Sequence, residues 1–103
     1  MNNCFEVEAV IPYKNGFGLI GRCLSGPIRR EDVFVTMFST ETVFGENHNI
    51  YIKRKKISSI NLIVNEIQYF NHVVEELQTN HSGGIYVIGS GAELLLQGYQ
   101  IET

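Results

Sequence analysis

The sequence predicts an all-β protein, a small closed antiparallel β-barrel of six to seven strands. Three observations lead to this prediction: short runs rich in β-branched and aromatic residues, glycines that recur between and inside these runs, and at most one helical turn. The 103 residues are enough for one hydrophobic core but too few for two domains. We therefore expect a single domain spanning residues 1–103, ordered from about Cys4 to Ile101.

The first two strands are predicted to form a hairpin. Residues 5–11 begin with alternating apolar and acidic side chains, so strand one should run from about Phe5 to Tyr13. Residues 14–16 read Lys-Asn-Gly, which favours a turn, and residues 17–25 read as the second strand. Glycines inside that second strand are typical of a bulge or of a sharp bend in a barrel.

The two cysteines are predicted to be free. If Tyr13 and Phe17 flank the turn, Cys23 lies opposite Val7, about three residues or roughly 10 Å along the strand from Cys4. A disulfide cannot span that separation, so we expect two unreactive thiols.

The third strand is predicted at Val33 to Phe38, after a turn at residues 26–32. It carries β-branched and aromatic residues on both faces, so we expect it to be central and largely buried. Residues 39–49 are polar and include Gly45, and they are predicted to form a loop.

The second half begins with alternation over Ile50 to Lys56 and returns to β-type composition from Ile57 to about Phe70. One stretch is ambiguous, because its apolar residues fit one face of an amphipathic helix about as well as a strand. These residues are Ile67, Phe70, Val74 and Leu77. The pattern by itself leaves both alternatives open.

Glycines also punctuate the C-terminal part. Residues 82–84 read Ser-Gly-Gly and are predicted to form a turn before a strand at residues 85–89. Residues 92–97 should form a short helical turn or a loop closed by Gly98, followed by a last strand from Tyr99 to Ile101.

Several of these motifs resemble the second-domain barrel of the translation GTPases, such as elongation factor Tu. Residues 16–22 read Gly-Phe-Gly-Leu-Ile-Gly-Arg, residues 26–28 read Gly-Pro-Ile, and residues 31–33 read Glu-Asp-Val. The family pattern has a glycine pair in the hairpin, Gly-Arg on strand two, a Gly-x-Ile turn, and Gly-Asp before a valine strand. The second half is similar as well, which implies a strand rather than a helix up to about Phe70.

The sequence departs from that family at two points. Glu31 stands where the family has glycine, which leaves the shape of that turn open. The phosphate-binding motif Gly-x-x-x-x-Gly-Lys-Ser/Thr is absent, so we expect neither a GTPase nor bound nucleotide. By analogy with the family, what remains is the part that contacts tRNA ends, ribosomal RNA or neighbouring protein domains.

The candidate binding residues lie in one basic run and its neighbour: Tyr51, Lys53, Arg54, Lys55 and Lys56. Cations with an adjacent aromatic ring are suited to binding phosphate groups. The alternative is that lysines protect an edge strand against association with other sheets. Alternation sends Lys53 and Lys55 to one face and Arg54 and Lys56 to the other, which fits an edge or loop better than one ordered groove.

No constellation of residues predicts catalysis, a metal site or a cofactor. The three histidines are scattered and lack metal-ligand spacing, either with one another or with a cysteine. They are His48, His72 and His81. We therefore expect a non-enzymatic protein without a cofactor.

Two functions are consistent with the sequence. The first is a non-catalytic binding module of the translation-factor barrel type that docks on a protein or RNA partner, with protein as the first expectation. The second is a small acidic immunity protein that neutralises a toxin by one-to-one binding, because the net charge of −3 would attract a basic enzyme. The absence of a long apolar run or a leader-like start favours the cytoplasm and no membrane partner, and the oligomeric state is left open.

Overall fold

A computed structural model describes residues 2–103, which form nine strands and two short 3-10 turns. The strands are β1 (Cys4–Tyr13), β2 (Gly16–Ser25), β3 (Ile28–Arg29), β4 (Val33–Phe44), β5 (Ile50–Tyr69), β6 (His72–Val74), β7 (Glu76–Leu77), β8 (Ser82–Ser90) and β9 (Gln100–Glu102). The 3-10 turns span Glu46–His48 and Ala92–Leu94.

Six of these strands close into an antiparallel barrel. Their order is β4-β9-β1-β2-β8-β5, and β5 pairs back with β4 to close the sheet on itself. The short strand β6 extends the sheet beside β5, whereas β3 and β7 form a separate two-stranded sheet. The predicted fold class, a small closed all-β barrel, is confirmed.

The barrel interior is filled by side chains that alternate along the strands. Phe5, Leu19, Phe34, Met37 and Ile85 are fully buried and belong to one continuous apolar cluster. The strand predicted at Val33 to Phe38 is central, since β4 pairs with both β5 and β9, but our expectation that it would be largely buried was wrong on one face, where Val33 and Val35 are 36% and 44% exposed. A strand in a barrel has only one inward face, so every second residue points outward.

The first hairpin pairs in a different register from the one predicted. Tyr13 pairs with Gly16 rather than Phe17, which shifts the register by one residue, and an irregularity between Val7 and Ala9 shifts it by one more, so Cys23 lies opposite Phe5 rather than Val7. Both cysteines are free and buried. Burial raises the pKa of the Cys4 thiol to about 11, which keeps it protonated and poorly nucleophilic near neutral pH.

The ambiguous stretch of the second half is a strand, and the helical alternative was wrong. Strand β5 continues to Tyr69, and a tight turn at Phe70 and Asn71, with φ of 49° and 64°, leads back into β6. The predicted turn at residues 82–84 was also wrong, because Gly83 and Gly84 lie inside β8. A side chain at Gly83 would meet the carbonyl oxygen of Gln68 at 2.6 Å, so this glycine permits a close approach of two backbones.

The turn before β4 holds Glu31 in a backbone conformation that suits glycine better than glutamate. Glu31 adopts φ of 74°, a left-handed conformation in which a side chain costs about 1–2 kcal/mol. The turn is held by backbone groups, since the Glu31 amide donates to the Val64 carbonyl at 2.7 Å. These contacts do not depend on the Glu31 side chain.

Replacing Glu31 with glycine should therefore stabilise the fold by about 0.5–1 kcal/mol, the strain relieved minus the greater chain entropy of glycine. Urea unfolding measures this difference. Glu31→Ala is the matched control, because it removes the carboxylate but keeps the strained conformation. Equal stability of the two variants would contradict the explanation.

Candidate functional site: a projecting β-ribbon

The segment predicted as a loop at residues 39–49 is mostly strand, so that prediction was wrong. Strand β4 continues to Phe44, β5 begins at Ile50, and the two pair without interruption from Phe38 and Lys56 to the tip. The β-forming residues Thr40, Thr42, Val43 and Phe44 are the signal that the polar composition concealed.

Residues 39–57 form a two-stranded ribbon, here called the ribbon, that extends beyond the barrel. Strand β8 pairs with β5 only from Asn61 onward, and β9 pairs with β4 only at residues 36–38. The molecule accordingly measures 46 Å along one axis and 25 Å along the other two. The ribbon is therefore the most prominent feature of the surface.

One face of the ribbon tip is apolar. Phe44 lies opposite Ile50, and Thr42 lies opposite Ile52, so their side chains share a face. Phe44, Ile50 and Ile52 are 76%, 64% and 60% exposed. We call these three residues the apolar tip. Sequence analysis missed this group because residues 39–49, which include Phe44, were interpreted as a loop, so Phe44 was not expected to pair with Ile50.

The opposite face carries two of the lysines. Tyr51 lies opposite Val43, Lys53 opposite Glu41, and Lys55 opposite Ser39. We call Tyr51, Lys53 and Lys55 the basic face. Arg54 and Lys56 project to the side of the apolar tip, so the predicted division of the four cations between two faces is confirmed.

Arg54 differs from the other candidate residues because it holds the ribbon to the barrel. Its Nη1 donates to Glu102 Oε2 at 2.6 Å and to Gln100 Oε1 at 3.2 Å, and its guanidinium lies 4.0 Å from the centre of the Phe38 ring. The hydrogen bond from Arg54 lowers the pKa of the Glu102 carboxyl. Thr40 adds a second attachment, since its hydroxyl donates to the Gly98 carbonyl at 2.6 Å.

A second cluster lies on the outer wall of the barrel. The rings of Tyr13 and Tyr86 stack with centroids 3.9 Å apart, and the Lys14 ammonium is 5.0 Å from the Tyr13 ring centre. The Tyr13 hydroxyl is 3.5 Å from Glu66 Oε2, which accepts a 3.0 Å hydrogen bond from Gln68. Burial raises the pKa of Tyr86. The cavity beside the stack measures about 80 Å³.

The remaining titratable groups form no further centre in the described part of the chain. Residues 2–103 contain no cluster of three His, Cys, Asp or Glu side chains able to hold a metal ion. His81 instead stacks on Tyr69, with ring centroids 4.9 Å apart. No helix within residues 2–103 has the length and apolar character needed to cross a membrane.

Comparison with known proteins identifies the fold. No family model matches the sequence, and no curated protein matches it. Among solved structures, the chain is similar to translation elongation factor SelB from Methanococcus maripaludis in its apo form, with a TM-score of 0.70 and 15% sequence identity. The chain has the fold of a translation-factor barrel. The match covers 100% of this chain but 19% of the elongation factor, and it confirms the resemblance at the level of the fold.

Proposed function

We propose that the protein is a non-catalytic binding module built on a translation-factor barrel, and that it docks on a partner protein through the ribbon. The observation that carries this proposal is the apolar tip. Its three side chains do not pack against the barrel core. They are each at least 60% exposed, on an element that projects from the domain: Phe44, Ile50 and Ile52. Large apolar side chains grouped in this way are typical of interaction sites.

Edge protection alone does not account for the ribbon. Charged residues on a free strand would be sufficient to discourage association between sheets. The apolar tip has the opposite effect, because it adds apolar surface at the most accessible part of the molecule. A contact site explains both features, with the tip as a buried anchor and the lysines as a polar rim.

The charges favour a protein over RNA as the partner. Binding to RNA depends on cations that neutralise phosphates. Arg54 is already paired with Glu102, and Lys53 faces Glu41 across the ribbon. The chain as a whole carries a net charge of −3. Lysines at the rim of a protein contact would instead accelerate association with an acidic surface.

The test compares the native protein with two ribbon variants and one control. The tip variant carries Phe44→Ser and Ile52→Ser, and the lysine variant carries serine at residues 53, 55 and 56. The control carries Ile63→Ser and Ile88→Ser, because these side chains are 44% and 43% exposed on the barrel wall and lie outside the ribbon. Each purified protein is immobilised on a support, cell lysate is passed over it at low salt, and the retained proteins and RNA are identified.

We expect one retained protein whose purified form binds the tip variant about tenfold more weakly and the control variant normally. The lysine variant should bind with a smaller dependence on salt. Retention of RNA that requires the lysines but not the tip would contradict docking on a protein. A protein partner held equally by all four proteins would exclude the ribbon and favour the inhibitor alternative, in which acidic loops make the contact.

A further inference from the structure

The ribbon has one long free edge. The outer edge of β5 pairs with β8 only from Asn61, and no other described strand pairs with residues 50–57 on that side. The outer edge of β4 is more occupied, because β9 pairs with it at residues 36–38 and Thr40 contacts Gly98. Unpaired amide and carbonyl groups along a strand edge are a template for a further strand.

Hydrogen bonding at the tip shows which amides face that edge. The Gly45 amide donates to the Asn49 carbonyl at 2.7 Å, so Phe44 and Ile50 form the non-hydrogen-bonded type of pair. Hydrogen-bonded and non-hydrogen-bonded pairs alternate along an antiparallel ribbon, and no bulge interrupts the pairing between the tip and Phe38. The backbone amides of Ile50, Ile52 and Arg54 therefore point away from β4 into solvent.

The side chains beside this edge differ on the two faces. On the basic face Lys53 and Lys55 follow Tyr51. The other face carries Ile50 and Ile52 near the tip, then Arg54, which is paired with Glu102, and Lys56. A strand added to the edge would place its own side chains alternately beside these two sets. Acidic residues would complement the lysines, and apolar residues would cover the isoleucines.

We propose that β5 accepts an extended strand of the partner protein along residues 50–57, and that this strand alternates acidic and apolar side chains. The inference rests on the proposed function and adds the mode of binding and the chemistry of the partner. Backbone hydrogen bonds provide affinity in strand addition, and the alternate side chains provide specificity.

The same charges disfavour a second copy of the chain as the occupant. Two copies of β5 paired along this edge would bring the cations of residues 53–56 close to their counterparts. Like charges beside each other across strands are destabilising. The lysines thus disfavour self-pairing and remain compatible with an acidic strand.

The probe is a capped peptide of about nine residues that alternates glutamate and valine, long enough to span the free edge. A peptide of the same composition with the glutamates and valines in separate blocks is the control. We expect the alternating peptide to bind at least tenfold more tightly, and to slow hydrogen exchange at the Ile52 and Arg54 amides. The Thr42 amide, which faces the other edge of the ribbon, is the internal reference and should not change.

Charge reversal provides a second test, whose expected result is a change of peptide preference rather than a loss of all binding. The Lys53→Glu, Lys55→Glu variant should bind the glutamate peptide at least tenfold more weakly and should prefer a lysine-valine peptide by a similar factor. An unchanged preference would overturn the assignment of the basic face.

The remaining outcomes separate this inference from the proposed function. Peptide binding without protection of the β5 amides, or no binding by the alternating peptide, would overturn strand addition. Docking through the ribbon would still stand if the tip variant loses the captured partner. Dimers with protected β5 amides in the absence of peptide would show that a second copy occupies the edge, and would also overturn the inference.

Discussion

Alanine in place of Gly89 is expected to destabilise the protein by about 3 kcal/mol. Gly89 has φ of 140°, a conformation that is strained for any residue with a side chain. An added Cβ would also collide with the Asn61 carbonyl on β5, where Gly89 pairs with Leu62. Strain and overpacking each cost about 1–3 kcal/mol, so the two together should weaken the β5–β8 pairing that helps to close the barrel.

Two other glycines separate these contributions in urea unfolding experiments. Gly98 has φ of 91°, but an added Cβ would meet only Thr40 Oγ1 at 3.5 Å, so Gly98→Ala should cost about 1 kcal/mol from strain alone. Gly45 has φ of −85°, and an added Cβ would meet the exposed Tyr51 ring at 3.3 Å; because this ring can shift into solvent, Gly45→Ala should cost less than about 0.5 kcal/mol. If Gly89→Ala costs no more unfolding free energy than Gly98→Ala, the close contact with the Asn61 carbonyl does not contribute to the loss of stability.

Replacement of Arg54 by methionine should cost about 1.5 kcal/mol at neutral pH. The change keeps an unbranched side chain but removes the guanidinium that binds Glu102 and packs on Phe38. Hydrogen bonds to charged groups contribute about 1.5–3 kcal/mol, and the partial exposure of Arg54 places the effect at the lower end of this range. The difference in unfolding free energy between native and variant proteins measures it.

The unfolding free energy lost in Arg54→Met should also depend on pH and should be smaller in acid. Arg54 lowers the pKa of Glu102 in the folded protein, below the value of about 4.3 for an unfolded glutamate. The stabilisation is therefore complete above about pH 4.3 and is lost as the pH falls through the folded pKa. The native and variant proteins should approach equal stability in acid.

Arg30→Met is the matched control for this prediction. Arg30 lies 3.9 Å from Glu75, and the two side chains are 52% and 85% exposed. Such a surface pair contributes little, so the variant should lose less than about 0.5 kcal/mol. A cost of Arg54→Met that persists undiminished in acid would show that Phe38 packing, rather than the Glu102 contact, attaches the ribbon.

The strands themselves could be predicted from local pattern. Alternation at the start of residues 5–11 and the Lys-Asn-Gly turn located the first hairpin, and the glycines of β2 supported a closed barrel. The two-residue period of a strand also divided the cations of residues 53–56 between two faces correctly, because that division depends only on the order of residues in an extended chain.

Other features depended on contacts between distant parts of the chain. Gly83 lies inside a strand rather than a turn, where the Gln68 carbonyl of β5 approaches it closely. The register of the cysteines depends on the turn that pairs Tyr13 with Gly16 and on the bulge between Val7 and Ala9, which the residue pattern did not show. Local composition therefore could not distinguish a turn glycine from one that permits two backbones to approach.

The sequence by itself determined that this chain is a barrel with a basic run on one strand. Only the tertiary structure decided that the run belongs to a ribbon, that Arg54 is bound to Glu102, and that the apolar tip is exposed. The physical reason is that a strand's alternation specifies its two faces but not its neighbours. In the ribbon both faces meet solvent, because β8 and β9 do not pair with that part of β5 and β4.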